Sequence, residues 1–133
     1  MTALLTGALV ILAVIHALWG LEIWVPIRDE ARLARTVVGA RGVTRMPGAI
    51  PCFLVGLGLL IIAIALWFPQ VLLGKLILWG AAAVLMGRGG IAYTRFWRKM
   101  TPEQPFATYD KKYYAPLCLL LGGGIVFVLL RGI

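Results

Sequence analysis

The sequence predicts an all-α polytopic membrane protein with four transmembrane helices. It is 62% hydrophobic and only 14% charged, which is far from the composition of an average soluble domain. The apolar residues are gathered in blocks, and four blocks approach or reach the roughly 17 to 25 residues that cross about 30 Å of hydrocarbon. The charged residues collect between the blocks. A soluble fold could not bury this much apolar surface, so membrane spans are the simplest interpretation.

The first two spans are predicted at about 3–24 and 50–67, within a single domain that comprises residues 1–133. The first block has no charge before Glu22, and Pro26 ends it because a proline ring removes a backbone donor. It lacks the basic start and the small-residue cleavage site of a signal peptide. We therefore expect a permanent helix. Pro51 is well placed in the first turn of the second span.

The third and fourth spans are predicted at about 71–87 and 116–130. A very short turn at 68–70 separates the second and third spans, which indicates an antiparallel hairpin. Three successive glycines, Gly122 to Gly124, lie in the fourth span. Glycine lets a neighbouring helix come very close, so we expect this span to lie between neighbours.

The second connecting loop, between the third and fourth spans, is expected to contain a short helix. Thr101, Pro102 and Gln104 fit a helix start, with the threonine as the cap and the glutamine reaching back. Asp110 is expected to cap the approach to the fourth span.

The positive charges predict the orientation of the chain in the membrane. Residues 26–46 carry five lysines and arginines and residues 88–115 carry six, whereas only Lys75 and Arg131 lie on the other side. The positive-inside rule therefore places both long loops in the cytoplasm and both termini outside. The same rule explains the net charge of +8 without a nucleic-acid partner.

The basic loops are also expected to contact lipid. Arg28, Arg32 and Arg35 share one face of a predicted short helix in the first loop, and Lys111 and Lys112 lie in the second. Clusters of this kind attract anionic headgroups. A solvated connector is the alternative interpretation of the first loop.

Missing residue types exclude several kinds of catalytic site. The chain has no serine and no asparagine, so a serine nucleophile and a Cys-His-Asn triad are impossible. A multi-histidine metal site would need several subunits, because His16 is the single histidine. It lies about 20 Å from the outer end of its helix, within the bilayer. We expect a neutral ring bonded to a neighbouring helix, with metal or haem ligation as the alternative, and predict no cofactor. Cys52 and Cys118 are expected to be free thiols.

A polar cluster is predicted near the inner ends of the spans. It comprises His16, Glu22, Arg88, Tyr93, Arg95, Asp110, Tyr113, Tyr114 and Cys118. Glu22 and Arg88 reach nearly the same depth, so we predict an ion pair between them, because an unpaired charge there is costly. Arg88 and Arg95 share a face if the third helix continues. Asp110 and the tyrosines could orient an anionic headgroup or transfer a proton. The favoured interpretation is structural, with aromatic rings at the headgroup level and Asp110 as a helix cap.

Several of these residues also resemble a known family. The likeness rests on His16 to Gly20, Pro26, Met46 to Gly48, Gly87 to Gly89, Tyr93, Phe106, Asp110 and Tyr113 to Cys118. Its most specific elements are Phe-x-x-x-Asp at 106–110 and Tyr-x-Pro-Leu-Cys at 114–118. The chain resembles small bacterial four-helix membrane proteins that are known only as a domain of unknown function. The resemblance implies an inner-membrane location and supports the site residues, although the first loop is longer than in typical members.

Two functions are therefore considered. The first is a non-catalytic accessory or scaffold protein that contacts anionic lipid and packs glycine-rich faces against a membrane-protein partner or a second copy. The second is an enzyme or carrier for a lipophilic substrate, which would use His16, Glu22, Arg88 and Asp110 around a cavity in the cytoplasmic leaflet. A cavity lined by these four residues would favour the second, and polar side chains satisfied among themselves would favour the first.

Overall fold

A computed structural model describes residues 1–131 and shows an all-α chain, as predicted. The long helices are α1 (Thr2–Gly20), α3 (Ala49–Ala65), α4 (Leu72–Ile91) and α7 (Ala115–Arg131). The short helices are α2 (Glu30–Val37), α5 (Arg95–Met100) and α6 (Phe106–Tyr109). A π-helical turn, Asp110–Tyr114, connects α6 directly to α7.

Three helices in the described part of the chain are long and apolar enough to cross a membrane: Thr2–Gly20, Leu72–Ile91 and the continuous helix Phe106–Arg131. The apolar helix α3, with 17 residues, is shorter than these. Most of each apolar stretch is not buried inside the protein, and large side chains such as Leu4, Leu72 and Leu120 point outward. Such a surface is compatible with a membrane protein, in which lipid replaces water around the apolar faces.

The long helices are arranged as two closely packed pairs. α1 packs along α3, and α4 packs along α7. Glycines make both contacts close: a Cβ added at Gly56 would lie 3.2 Å from the carbonyl oxygen of Ala13, and one at Gly89 would lie 2.9 Å from that of Ala115. The pairs share an apolar core that includes the fully buried Leu9, Leu78 and Ile125.

The three successive glycines of α7 have different neighbours. A Cβ added at Gly122 would lie 2.8 Å from Met86 of α4, and one at Gly124 would lie 2.8 Å from Leu5 of α1. Gly123 has open space beside it. Two of these glycines therefore bring α7 close to helices on two sides.

Helix ends differ from the predicted boundaries at two places. α1 ends at Gly20, before residue 24, and the indole Nε1 of Trp19 donates a 2.8 Å hydrogen bond to the carbonyl oxygen of Val25. Glu22 follows in a turn with φ of 61°. α4 continues past residue 87 to Ile91, so its last glycines are helical. A turn then separates it from α5, so Arg88 and Arg95 do not share one helix.

The first long loop, residues 21–48, contains α2. Asp29 caps this helix, since its carboxylate accepts a 3.1 Å hydrogen bond from the backbone N–H of Ala31. The inner face of α2 buries Leu33 and Ala34 against Met46. The expected short helix therefore exists, and its apolar face holds the loop together.

The predicted caps in the second long loop, residues 92–114, are wrong. Thr101 closes α5 rather than starting a helix, and its hydroxyl donates to the carbonyl oxygen of Trp97 at 2.8 Å. The next helix begins at Phe106, where Gln104 accepts a hydrogen bond from the backbone N–H of Thr108. Asp110 caps nothing, because it lies inside a continuous helical segment.

Candidate functional site

Asp110 is the centre of a buried polar cluster. Its side chain is completely buried. Oδ1 accepts a 2.8 Å hydrogen bond from Nη2 of Arg88, and Oδ2 accepts a 2.9 Å bond from the indole Nε1 of Trp97. Oδ2 also forms a short ion pair with Nη2 of Arg98. We call Arg88, Trp97, Arg98 and Asp110 the clasp.

Three helical elements position the clasp. Arg88 lies in the last turn of α4, which continues past the predicted end of the span. Trp97 and Arg98 are neighbours on α5, whose first turn is capped by the hydroxyl of Thr94. Asp110 begins the π-helical turn. Insertions of this kind are frequent at functional sites, where they change the direction of side chains relative to a regular helix.

Arg98 also organises the chain between α5 and α6. Its Nη1 donates to the carbonyl oxygen of Ala107 at 2.9 Å, and its Nη2 lies 3.3 Å from the hydroxyl of Thr101. One guanidinium therefore ties the end of α5, the start of α6 and Asp110 together. A planar fork of donors suits arginine for such a site better than lysine.

The clasp combines one negative and two positive side chains. One buried carboxylate faces two guanidinium groups, so the three side chains carry a net charge of +1. Breaking a buried pair by removing one partner is strongly destabilising. Arg88 is further held by the Trp97 ring, whose centroid lies 4.9 Å from the guanidinium carbon. Nη1 of Arg88 and Nε of Arg98 are buried without a hydrogen-bond partner among the described residues.

A second set of contacts joins the two long loops. The hydroxyl of Tyr114 donates to the carbonyl oxygen of Thr36 at 2.9 Å, across 78 residues of chain. Glu103 accepts from the backbone N–H of Gly42 at 3.0 Å, and its own N–H donates to the carbonyl oxygen of Gly39 at 3.2 Å. Arg41 donates to the carbonyl oxygen of Lys99 at 3.1 Å. We call these contacts, with those of Phe106 described next, the interloop seam.

Phe106 fills the middle of the interloop seam. Its side chain is 2% exposed, and its ring lies 5.7 Å from that of Tyr114. The ring is packed directly against Gly39, whose φ is +71°. A side chain at Gly39 would occupy the space of the Phe106 ring, and the backbone there also favours glycine. The first loop can therefore dock only with glycine at this position.

The predicted polar cluster is only partly assembled. Arg88 and Asp110 meet in the clasp, and Tyr114 joins the adjacent interloop seam. Tyr93 lies at the periphery, where its hydroxyl donates to the carbonyl oxygen of Lys111 at 2.9 Å. Cys118 is a half-buried free thiol on α7. Arg95, Tyr113 and Glu22 are exposed, as is Tyr93.

The predicted ion pair between Glu22 and Arg88 is wrong. Arg88 pairs with Asp110, and Glu22 is exposed in the turn after α1. Glu22 and Arg88 do not meet because α1 packs chiefly against α3, whereas α4 packs against α7. Two side chains at equal depth on helices that are not neighbours do not meet.

His16 belongs to a separate site. Its Nδ1 lies 2.7 Å from the carbonyl oxygen of Leu12, which is in the same helix. The predicted hydrogen bond to a neighbouring helix is therefore wrong. The ring lines a pocket of about 160 Å³ that Cys52 also borders. The described residues contain no group of three or more His, Cys, Asp or Glu side chains placed to hold a metal ion.

Sequence reasoning missed two members of the clasp. Neither Trp97 nor Arg98 was predicted as a site residue, although Asp110 depends on both. The available signal was that an acidic residue beside an apolar span needs donors, and Lys99 and Arg98 lie eleven and twelve residues before it. Glu103 of the interloop seam was likewise not predicted as a site residue.

Comparison with known proteins identifies a family but no activity. Residues 9–125 match the model of a family described as a protein of unknown function (DUF3995). The match confirms the resemblance that the sequence motifs indicated. No curated protein and no solved structure matches the chain.

Proposed function

The chain belongs to the DUF3995 family, and we propose that it is a non-catalytic, four-span protein of the bacterial inner membrane that contacts anionic lipid through its cytoplasmic loops. In this proposal α1, α3, α4 and α7 are the spans, and both termini lie outside. The two long loops form one cytoplasmic lobe that is held together by the clasp and the interloop seam.

The state of Asp110 carries this proposal. A general acid or base must reach a substrate, but this carboxylate is completely buried and accepts hydrogen bonds from three protein donors. In the cluster that most resembles a catalytic site, the carboxylate therefore has all three of these hydrogen bonds from the protein's own side chains. The pocket beside His16 is lined by neither Glu22, Arg88 nor Asp110, so it does not favour an enzyme or carrier built on those four residues.

The interloop seam supports the proposed orientation. Its hydrogen bonds join residues 36–42 of the first loop to residues 99–114 of the second. Loops on opposite faces of a bilayer could not form such bonds. A common side for both loops gathers eleven of the thirteen lysines and arginines at one membrane face, as the positive-inside rule requires.

The lipid contact is supported by cations that the lobe leaves available. Arg28, Arg32, Lys111 and Lys112 are exposed and Arg35 is half-buried. None of the five forms an ion pair within residues 1–131. Exposed cations beside a membrane attract anionic lipid with about 1 kcal/mol each.

The lipid-facing surface also supports contact with another helix. Gly80, Ala83 and Gly87 follow each other at helical spacing on the exposed side of α4. A Cβ added at either glycine would have nothing within 4 Å. Exposed small residues of this kind let membrane helices approach closely, so α4 is the proposed contact for a partner or a second copy.

The lipid preference can be tested in nanodiscs that contain equal amounts of phosphatidylglycerol and phosphatidylcholine. We expect native mass spectrometry to show phosphatidylglycerol enriched on the wild-type protein. Replacing Arg28, Arg32, Arg35, Lys111 and Lys112 by glutamine should reduce that enrichment at least about fivefold. A control that carries Lys75→Gln and Arg131→Gln should retain it. Equal retention of both lipids by the wild type would contradict the proposed contact.

A further inference from the structure

The pocket beside His16, which no residue of the clasp lines, has the chemistry of a ligand site. Its walls come from three segments: His16 and Trp19 from α1, Met46 from the first loop, and Cys52 and Val55 from α3. It is partly open and mostly apolar. Pockets with apolar walls and one well-placed polar group are typical of small-molecule sites.

His16 supplies that polar group, and the structure fixes its role. Nδ1 lies 2.7 Å from the carbonyl oxygen of Leu12. A carbonyl oxygen only accepts, so Nδ1 carries a proton in this contact, and in that tautomer Nε2 is a hydrogen-bond acceptor. Nε2 has no hydrogen-bond partner among the described residues, and it is not fully buried. Nε2 is therefore an accessible acceptor without a partner among the described residues, on a side chain that lines the pocket.

The ring of His16 is also held in place. Its edge packs against Trp19, with ring centroids 4.9 Å apart and an angle of 63° between the planes. Trp19 is itself fixed by its hydrogen bond to Val25. An acceptor that is already oriented loses little freedom when a ligand binds.

Size and polarity then define the ligand. A cavity of about 150 Å³ with apolar walls binds benzene, and this pocket measures about 160 Å³, so it admits one six-membered ring. Apolar walls disfavour a charged ligand, because burial of an unpaired charge is costly. The acceptor requires an O–H or N–H donor. We propose that this pocket binds the ring of a membrane-soluble phenol, whose hydroxyl donates to Nε2 of His16.

The single histidine makes a direct test possible, because histidine labelled with ¹⁵N reports only on His16. The labelled full-length protein in nanodiscs is titrated with 4-hexylphenol, and empty nanodiscs give the correction for partition into lipid. We expect a saturable shift of the Nε2 resonance toward that of a hydrogen-bonded acceptor. The methyl ether 4-hexylanisole, which lacks the donor, should bind about fivefold more weakly and should not shift Nε2 in this way.

A pair of variants on α3 tests whether the pocket is the binding site. Val55→Phe places a larger side chain in the pocket and should weaken phenol binding about tenfold or more. Leu54→Phe adds a similar ring at a neighbouring, 63% exposed position and should leave binding unchanged. The proposal is overturned if the phenol causes no saturable Nε2 shift, if the methyl ether causes the same shift, or if Val55→Phe binds as the wild type does.

Discussion

Arg98 and Asp110 are twelve residues apart in the chain, and they form an ion pair in which Asp110 is completely buried and the Arg98 side chain is only 16% exposed. The pair joins α5 to the turn that leads into α7. Because Arg88 of α4 contacts the same carboxylate, the end of one apolar helix and the start of the next are fixed by one side chain.

Removing the charge of Asp110 should destabilise the whole protein. Asp110→Asn leaves the two guanidinium groups without their counter-charge, and we expect the free energy of unfolding to fall by about 3 kcal/mol. Unfolding followed by circular dichroism in a mild detergent measures this loss. Glu22→Gln is the matched control, since Glu22 is exposed, and it should change little. Equal stability of the two variants would contradict a structural role for the clasp.

Alanine substitutions at two glycines of the first loop can distinguish the effect of packing from the effect of backbone strain. Gly39 and Gly42 have nearly the same positive φ, 71° and 69°, but only Gly39 lies against Phe106. Both alanine variants should lose about 1 kcal/mol from backbone strain, and Gly39→Ala should in addition undock the first loop. Amide hydrogen exchange of residues 36–42 should accelerate strongly in Gly39→Ala and only slightly in Gly42→Ala. Similar exchange in both variants would show that the Phe106 contact does not hold the interloop seam.

Cysteine labelling tests the proposed orientation. In a background with Cys52→Ala and Cys118→Ala, single cysteines at Arg45 and Lys99 should react with a membrane-impermeant maleimide only after the cytoplasmic face is opened. Both positions are exposed, so a lack of access within the lobe should not prevent the reaction. A cysteine at Thr2 should react from outside in intact spheroplasts. Reaction of the two loop positions from opposite sides would contradict the four-span arrangement.

The helical class could be predicted from the sequence because it depends on composition within contiguous blocks. Hydropathy found the apolar segments of α1, α3, α4 and α7, and spacing found the short helix after Asp29. These properties involve residues that are close in sequence. The resemblance at 106–118 also singled out Asp110 before its partners were known.

The partners of the polar residues could not be predicted in the same way. Depth along a helix does not specify which helices are neighbours. The prediction of an ion pair between Glu22 and Arg88 was therefore wrong, since α1 packs against α3 and α4 packs against α7. The partners of Asp110 depend on two further features, the extension of α4 to Ile91 and the π-helical turn. Neither feature has a sequence signal that we could recognise.

The interloop seam also bears on the order in which the protein is completed during synthesis. Its hydrogen bonds from Gly42 to Glu103 and from Tyr114 to Thr36 span 61 and 78 residues. The segment from α1 to α3 therefore leaves the ribosome with α2 packed against Met46 but without the partners that the second loop supplies. The interloop seam can form only when the second half has been translated, and until then the contact surface for Phe106 beside Gly39 is uncovered and available to a chaperone or a protease.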